Sequence, residues 1–379
     1  MQTHDLPSGP HGPWMARAQV LATQAIGLSD PNPRVGCVLV GADGRQIGAG
    51  FTQEAGGPHA EVMALRDATS RGHSTHGATA YVTLEPCAHQ GRTGPCCDAL
   101  AQAGVKRVVA ALADPNPLVR GKGFERLRAA GVEVQTGLGA EAARDLNIGF
   151  FSRMLRRRPW MRMKIAASLD GATALDNGQS QWITGPAARA DGHAWRARAS
   201  AVLTGIGTVL DDNPRLDVRE VPVHRQPMLV LVDSRLQLPL TAALFSVQRP
   251  LLVYAAQAHP AQEAALQQLG ANVVQLPGTG DTAAGKVDLA RMLDDLAIRE
   301  VNELHVEAGS KLNGSLLREG LVDELLVYLA PKLVGPGRAM AALAPLVELA
   351  CALPLHFVSV AQVGDDLRLL ARVQREPWY

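Results

Sequence analysis

The stretch HAEVMAL at residues 59–65, followed by TLEPCAHQGRTGPCCDAL at residues 83–100, decides how the first half of the chain is read. His59 to Ala68 has the apolar spacing of a helix. Ala78 to Leu84 is strand-like, so Pro86-Cys87 leaves a strand end. Cys96 to Ala103 reads as a helix closed by Gly104, which places Cys96, just after Pro95, at a helix start. Working outward, residues 14–26 have helical spacing, a Pro31-Asn32-Pro33 turn follows, and Val35–Val40 and Gln46–Phe51 read as strands joined by Ala42-Asp43-Gly44. Downstream, Arg107–Ala111 is a strand, Phe124–Ala130 a helix ending at Gly131, and Val132–Val134 a strand. A hairpin followed by β-α units predicts a mixed sheet covered by helices, an α/β fold.

At 379 residues the chain is long enough for two or three domains. Residues 147–158 (NIGFFSRMLRRR) interrupt the β-α rhythm and Pro159 restarts it, so the boundary is expected near 150–156. The division is 1–150 and 151–379. The second part repeats the alternation. Strands are expected at 161–166, 201–204, 228–232, 251–254, 273–275, 303–307 and 325–329, and helices near 187–199, 261–269, 288–299 and 310–319. The motifs of the two halves do not recur in each other.

Lys plus Arg is 37 against 36 for Asp plus Glu, so no net field draws in nucleic acid or an anionic membrane. The Arg156-Arg157-Arg158 run has no second basic cluster to support it and reads as a solvated helix end or linker. The most apolar stretch, 339–355, carries Glu348, Pro345 and Pro354, which argues against a membrane span. The N-terminus lacks the order of a signal peptide, and residues 1–13 read as a loose arm. Five cysteines in so long a chain suggest thiols and metal ligands in a cytoplasmic protein, not a disulfide framework. Cys37 and Cys351 read as buried core thiols.

His and Cys are good zinc ligands, and a catalytic zinc keeps three protein ligands with one position open to water, whose pKa it lowers toward ~7. A carboxylate beside that water must then carry protons, and Glu61, two residues after His59, fills that role without ligating. His-x-Glu followed by Pro-Cys-x-x-Cys is the pattern of zinc deaminases. Here eight residues, Ala88 to Pro95, separate Cys87 from Cys96. Spacing alone leaves Cys96 and Cys97 open as third ligand; the helix start favours Cys96. No convincing fourth protein ligand is visible, and His89 and Arg92 read as loop residues facing a substrate. A zinc-stabilised scaffold and an RNA-editing protein are the competing classes; the near-neutral charge opposes the second.

The second half says less by itself. Gly205-Ile206-Gly207 is an incomplete dinucleotide fingerprint, because position 210 is Leu. Glu307-Ala308-Gly309-Ser310 ends a strand and opens a helix, where free N–H groups can hold a phosphate. Arg196 and Arg219 are candidate phosphate ligands, each with a surface role as its plain alternative.

HAEVMAL (59–65), TLEPCAHQGRTGPCCDAL (83–100) and ADPNPLVRGKG (113–123) resemble the bifunctional riboflavin-biosynthesis deaminase/reductase family, of which the long Cys–Cys spacing is characteristic. The resemblance continues through KIAASLDGATA (164–174), SQWITGP (180–186), GIGTVLDDNPRL (205–216), VDS (232–234), VEAGSKLNGSLL (306–317) and LVDELLVYLAPKLVG (321–335). It implies an N-terminal cytidine-deaminase-like α/β/α domain and a C-terminal dihydrofolate-reductase-like α/β domain. It implies one zinc held by His59, Cys87 and Cys96, with Glu61 as proton donor, and Asn32 placed to hydrogen-bond the base. The implied substrate is 2,5-diamino-6-(5-phosphoribosylamino)pyrimidin-4-one, deaminated and then reduced by NADPH at C1′ of the ribosylamino group. The resemblance carries over Ala166, Trp182, Thr208, Asp212, Ser234 and a cofactor loop, Gly309, Ser310, Lys311, Leu312, Asn313, Gly314 and Ser315, as NADP contacts. Ser180, Arg196, Leu216, Arg219 and Glu307 are implied substrate contacts, and Lys164 fits the same site. Trp182 as a core aromatic and Thr208 as a helix cap are the plainer alternatives. Relatives often read Ala-Asp-Asp or Ala-Asp-Asn where this chain has Asp211-Asp212-Asn213, which keeps Asp212 and adds a charge at 211. Family precedent also points to a homodimer.

Overall fold

The computed structural model describes residues 9–88, 94–117, 119–279, 285–375 and 378. The chain divides into two compact units, Met1–Arg156 and Arg157–Tyr379. His89 and Arg92 lie outside the described residues, as does most of the N-terminal arm.

The first unit runs α1 (Gly12–Thr23), β1 (Gly36–Val40), β2 (Gln46–Phe51), α2 (Ala60–Ser70), β3 (Thr79–Val82), α3 (Cys96–Gln102), β4 (Arg107–Ala110), α4 (Lys122–Ala129), β5 (Glu133–Thr136), α5 (Ala140–Leu146) and α6 (Ile148–Arg156). Its five-stranded sheet has the order β2-β1-β3-β4-β5. β1 pairs antiparallel with β2 and β3, whereas β3, β4 and β5 run parallel. Met15, Ala18 and Leu21 of α1 pack on Val38, Val40, Tyr81 and Val109. Helix α2 sits unusually close to β2, because a Cβ on Gly48 would stand 2.3 Å from the Ala64 carbonyl and one on Gly50 2.7 Å from that of Ala60. The Gly-Ala-Gly of β2 is therefore what lets the helix that begins beside His59 lie on the sheet. The segment expected to interrupt the β-α rhythm is instead helix α6, buried over a full turn from Ile148 to Ser152. Of the arginine run, Arg156 donates to Ser152 and Arg158 pairs with Asp323 at 3.1 Å, so these side chains are tied to protein groups.

The second unit runs β6 (Trp160–Ser168), β7 (Ala172–Leu175), α7 (Pro186–Arg198), β8 (Ala201–Gly205), α8 (Ile206–Asp212), β9 (Met228–Val232), β10 (Leu251–Ala255), α9 (Pro260–Gln268), β11 (Ala271–Gln275), α10 (Leu289–Ile298), β12 (Glu303–Val306), α11 (Ser310–Arg318), β13 (Glu324–Ala330), β14 (Gly337–Ala339), β15 (Leu355–Val363) and β16 (Asp366–Val373). The nine-stranded sheet has the order β11-β10-β9-β8-β12-β6-β13-β16-β15. It is parallel from β11 to β13 and closes with the antiparallel β15–β16 hairpin. Buried on both faces, the parallel strands are near-continuous apolar runs, such as Met228-Leu-Val-Leu-Val232. The C-terminal hairpin has no counterpart among the expected strands. Its edge strand leaves Leu355, Phe357 and Val360 exposed, so its hydrophobic pattern does not report burial in this chain. Cys351 is likewise exposed, in a short turn before β15, contrary to its expected burial; Cys37 is fully buried on β1.

Because the strands from β9 to β13 run parallel, their carboxyl ends share one edge of the sheet. Ser234, Gly205, Glu307 and Ser168 follow or end β9, β8, β12 and β6 at that edge. Open parallel sheets bind ligands along this edge.

Candidate active sites

In the first unit, His59 stands immediately before α2, Cys87 follows the end of β3, and Cys96 opens α3. These three bring their ligand atoms within 4.8 Å of one another. His59 Nδ1 lies 3.5 Å from Cys87 Sγ and 3.4 Å from Cys96 Sγ. A tetrahedral ion with bonds of about 2.0–2.3 Å has N···S edges of about 3.5 Å, so this donor set fits zinc in size and in chemistry. Cys97 does not join it: its thiol turns to Asp98 Oδ1 at 3.5 Å. Burial pushes that thiol up to about 11.

Hydrogen bonding from Cys96 and His59 holds Cys87 down at about 4, while the hydrogen bond to Cys87 and burial push Cys96 far above the ordinary thiol range. The bond to Cys87 raises the His59 imidazole. Glu61 is 3% exposed, and burial together with the negative charge of Cys87 pushes its carboxyl up to about 7. A carboxyl poised there can both take and give a proton at neutral pH. Asn32 lies in the loop before β1, partly buried, its backbone tied to Ser29. That loop is pinned by Asn147, which accepts from Arg34 N–H at 2.7 Å and donates to its carbonyl.

In the second unit, Glu307 is the hub of the sheet edge. Arg196, at the end of α7, clasps its carboxylate through Nε and Nη2, and donates through Nη1 to the Asp217 carbonyl at 2.9 Å. Lys164 Nζ lies 3.8 Å from Glu307 and His305 Nε2 3.4 Å. Burial alone would raise the Glu307 carboxyl; Arg196, Lys164 and His305 hold it well below the usual carboxylate range. Arg196 is thus mostly buried and paired, not a surface residue. Arg219 is half-exposed and pairs with Asp217 at 2.8 Å. Leu216 is buried in the apolar core, and its carbonyl accepts from the Arg249 guanidinium. Ser180 lies between β7 and α7, partly buried.

Thr208 is inside the first turn of α8 and does not cap it; Gly205 occupies the cap position. A Cβ on Gly309 would meet Thr208 Oγ1 at 3.9 Å, so the starts of α8 and α11 lie side by side. Trp182 is 60% exposed, with the Arg189 guanidinium 4.6 Å from its ring centroid, which rules out a core aromatic. Ser234 Oγ accepts from Val287 N–H at 3.3 Å. Ala166 is partly buried on β6, and Asp212 ends α8. The expected cofactor loop is helical from Ser310 onward. Helical periodicity turns Asn313 onto the Met340 carbonyl, at 3.0 Å, and presses Gly314 against Ala342, so these two face protein. Leu312 packs on the core and Ser315 bonds back to Lys311, which leaves Gly309, Ser310 and Lys311 at the open start of the helix. The extra charge at Asp211 is met by Arg338 at 2.9 Å.

Residues 10–112 match the family model of the cytidine and deoxycytidylate deaminase zinc-binding region, and residues 159–369 match the RibD C-terminal domain. Riboflavin biosynthesis protein RibD of Escherichia coli is 44% identical over 94% of this chain and 97% of its own length. The chain belongs to the RibD family. The Aquifex aeolicus RibD is 40% identical over 93% of this chain and 96% of its own. Among solved structures, Acinetobacter baumannii RibD superposes with a TM-score of 0.85 at 41% identity, covering 96% of this chain and 98% of its own. A Thermotoga maritima diaminohydroxyphosphoribosylaminopyrimidine deaminase/5-amino-6-(5-phosphoribosylamino)uracil reductase also gives 0.85, at 32% identity over 96% and 99% of the two chains.

As a RibD, the chain is a bifunctional riboflavin-biosynthesis enzyme, with a zinc-binding deaminase domain followed by a pyrimidine reductase domain. Among the described residues, no helix is long and apolar enough to cross a membrane. Sequence reading passed over Glu85, His305 and Asp217. Glu85 stood inside the quoted motif, two residues before Cys87, and it is 4% exposed, its carboxylate among backbone N–H groups. His305 and Asp217 carry no local signal, because their partners come from other elements.

Proposed function

We propose that this RibD hydrolytically deaminates 2,5-diamino-6-(5-phosphoribosylamino)pyrimidin-4-one and then reduces the ribosyl group of 5-amino-6-(5-phosphoribosylamino)uracil to ribityl with NADPH. The observation that carries the first step is the His59, Cys87 and Cys96 donor set beside a buried carboxyl. Those three residues would hold one zinc per chain. Bound there, the metal supplies Lewis acidity and lowers the pKa of its water toward ~7. Glu61 takes one proton from the attacking water and passes it to the ring nitrogen, then takes the remaining hydroxyl proton of the tetrahedral adduct and gives it to the departing amine, so that water enters and ammonia leaves. Asn32 orients the base from the loop before β1.

The second step takes place at the carboxyl edge of the nine-stranded sheet. NADPH supplies the hydride, and the protein chiefly binds and orients. The open starts of α8 and α11, with Thr208 and Gly309 side by side, suit the phosphates of the cofactor. Ala166, Trp182, Asp212 and Ser234 complete its contacts. Ser180, Leu216, Arg219 and the Arg196–Glu307 pair hold the phosphoribosyl part, with Lys164 beside them. Five free cysteines fit a cytoplasmic enzyme. The apolar side chains left exposed on and before β15, among them Val347, Leu349 and Phe357, fit a homodimer.

The test is one coupled assay that follows ammonia and NADPH together. Glu61→Gln should keep zinc and lose ammonia release by about 10²–10⁴-fold, while still oxidising NADPH when the deaminated intermediate is supplied. Full ammonia release by Glu61→Gln would remove its role.

A further inference from the structure

The two cysteine ligands are separated by Ala88 to Pro95, too long a spacer for a single turn to hold one sulfur against the other. Their sulfurs are nevertheless side by side, and the Cys96 N–H points at Cys87 Sγ from 3.4 Å. Helix α4 and the segment before it grip both ligand segments from outside. The buried carboxylate of Glu85, two residues before Cys87, accepts backbone N–H groups from Asp114 (3.0 Å), Gly121 (2.9 Å) and Gly123 (2.9 Å). Gly123 rests directly on the residue preceding Cys87, since a Cβ there would stand 2.0 Å from the Pro86 carbonyl oxygen. One turn further along α4, Arg126 donates through Nη1 to the carbonyl of Ala88, the residue after Cys87, at 2.8 Å. Its Nη2 pairs with Asp98, two residues after Cys96. A single guanidinium therefore bridges the two ligand-bearing segments from two separate nitrogens held in one plane, whereas the lone nitrogen of an ammonium would have to lie within reach of both acceptors at once.

We propose that α4 is a clamp on the metal centre, with Glu85 and Arg126 as positioning residues that hold Cys87 against Cys96 across the long spacer. This rests on the zinc reading above. Arg126 is half-exposed, so its replacement opens no core, and an exposed ion pair contributes little to global stability. Its effect should appear in metal retention and not in folding.

The experiment compares zinc-loaded full-length wild type, Arg126→Gln, Arg126→Lys and Glu85→Gln. The rate of zinc release to an excess of chelator is read with a zinc indicator dye. Melting of the chelated proteins and NADPH oxidation serve as controls on the fold. Both Arg126 variants are expected to release zinc about 10-fold faster or more, with unchanged melting of the zinc-free protein. Glu85→Gln, whose amide offers one acceptor oxygen in place of two, should do the same; should it fail to fold, the Arg126 variants decide. Release at the wild-type rate from Arg126→Gln overturns the clamp. So does full restoration by Arg126→Lys, which would make charge the agent, or a lowered melting point with unchanged release. Wild type that binds no zinc would overturn the metal reading itself, a result distinct from any of these.

Discussion

Cys96 and Cys97 are adjacent and equally buried, yet only one can face the His59 imidazole, because successive residues on a helix point about 100° apart. Cys96 faces it; Cys97 turns toward Asp98 and keeps its proton. Cys87→Ser and Cys96→Ser should therefore each reduce zinc content well below one per chain, and Cys97→Ser should retain it, as measured by atomic emission on purified protein. The reverse order for 96 and 97 would move the ligand assignment. The types of these residues, and their places at element ends, were legible from spacing. The choice between the neighbours was not, since it depends on which way α3 is rotated against α2.

At the scale of elements, the strand Gln46–Phe51 shows how composition positions chemistry. Gly50 leaves room for α2; an added Cβ would stand 2.5 Å from Met63 Cβ and 2.6 Å from the Ala64 nitrogen. Gly50→Ala should push α2 outward and carry His59 and Glu61 with it. Overpacking of this kind costs about 1–3 kcal/mol, which a urea unfolding curve resolves. Ammonia release should fall while NADPH oxidation holds; equal activity in both assays would mean that the helix does not need this approach. Most elements were readable because their apolar periodicity coincides with burial, as in α10, whose Leu289, Met292, Leu293 and Leu296 all face inward. Where pattern and burial part company, as in β15, the reading failed.

At the scale of the molecule, each candidate site is assembled from the residues of one unit. A chelator should therefore abolish ammonia release and spare NADPH oxidation on the deaminated intermediate. Loss of both activities together would show that the second site also needs the metal. The interior of the nine-stranded sheet holds a further feature with no local signature. Arg162, 4% exposed, lies between Glu303 and Glu324 on the strands either side of it, and those carboxylates also receive Arg198 and Arg372. Such charges persist in a core only when each meets its opposite.

By itself the amino-acid order established the α/β class and the family, and it named the His and Cys donor set and Glu61 as candidates, because these are carried by short-range spacing and by residue chemistry. The tertiary structure alone decided that Glu307 is clasped by Arg196, 111 residues away, and that Glu85 gathers the segment at 114–124. Such partners meet only once strand order and helix placement are set, and nothing in either local segment encodes the meeting.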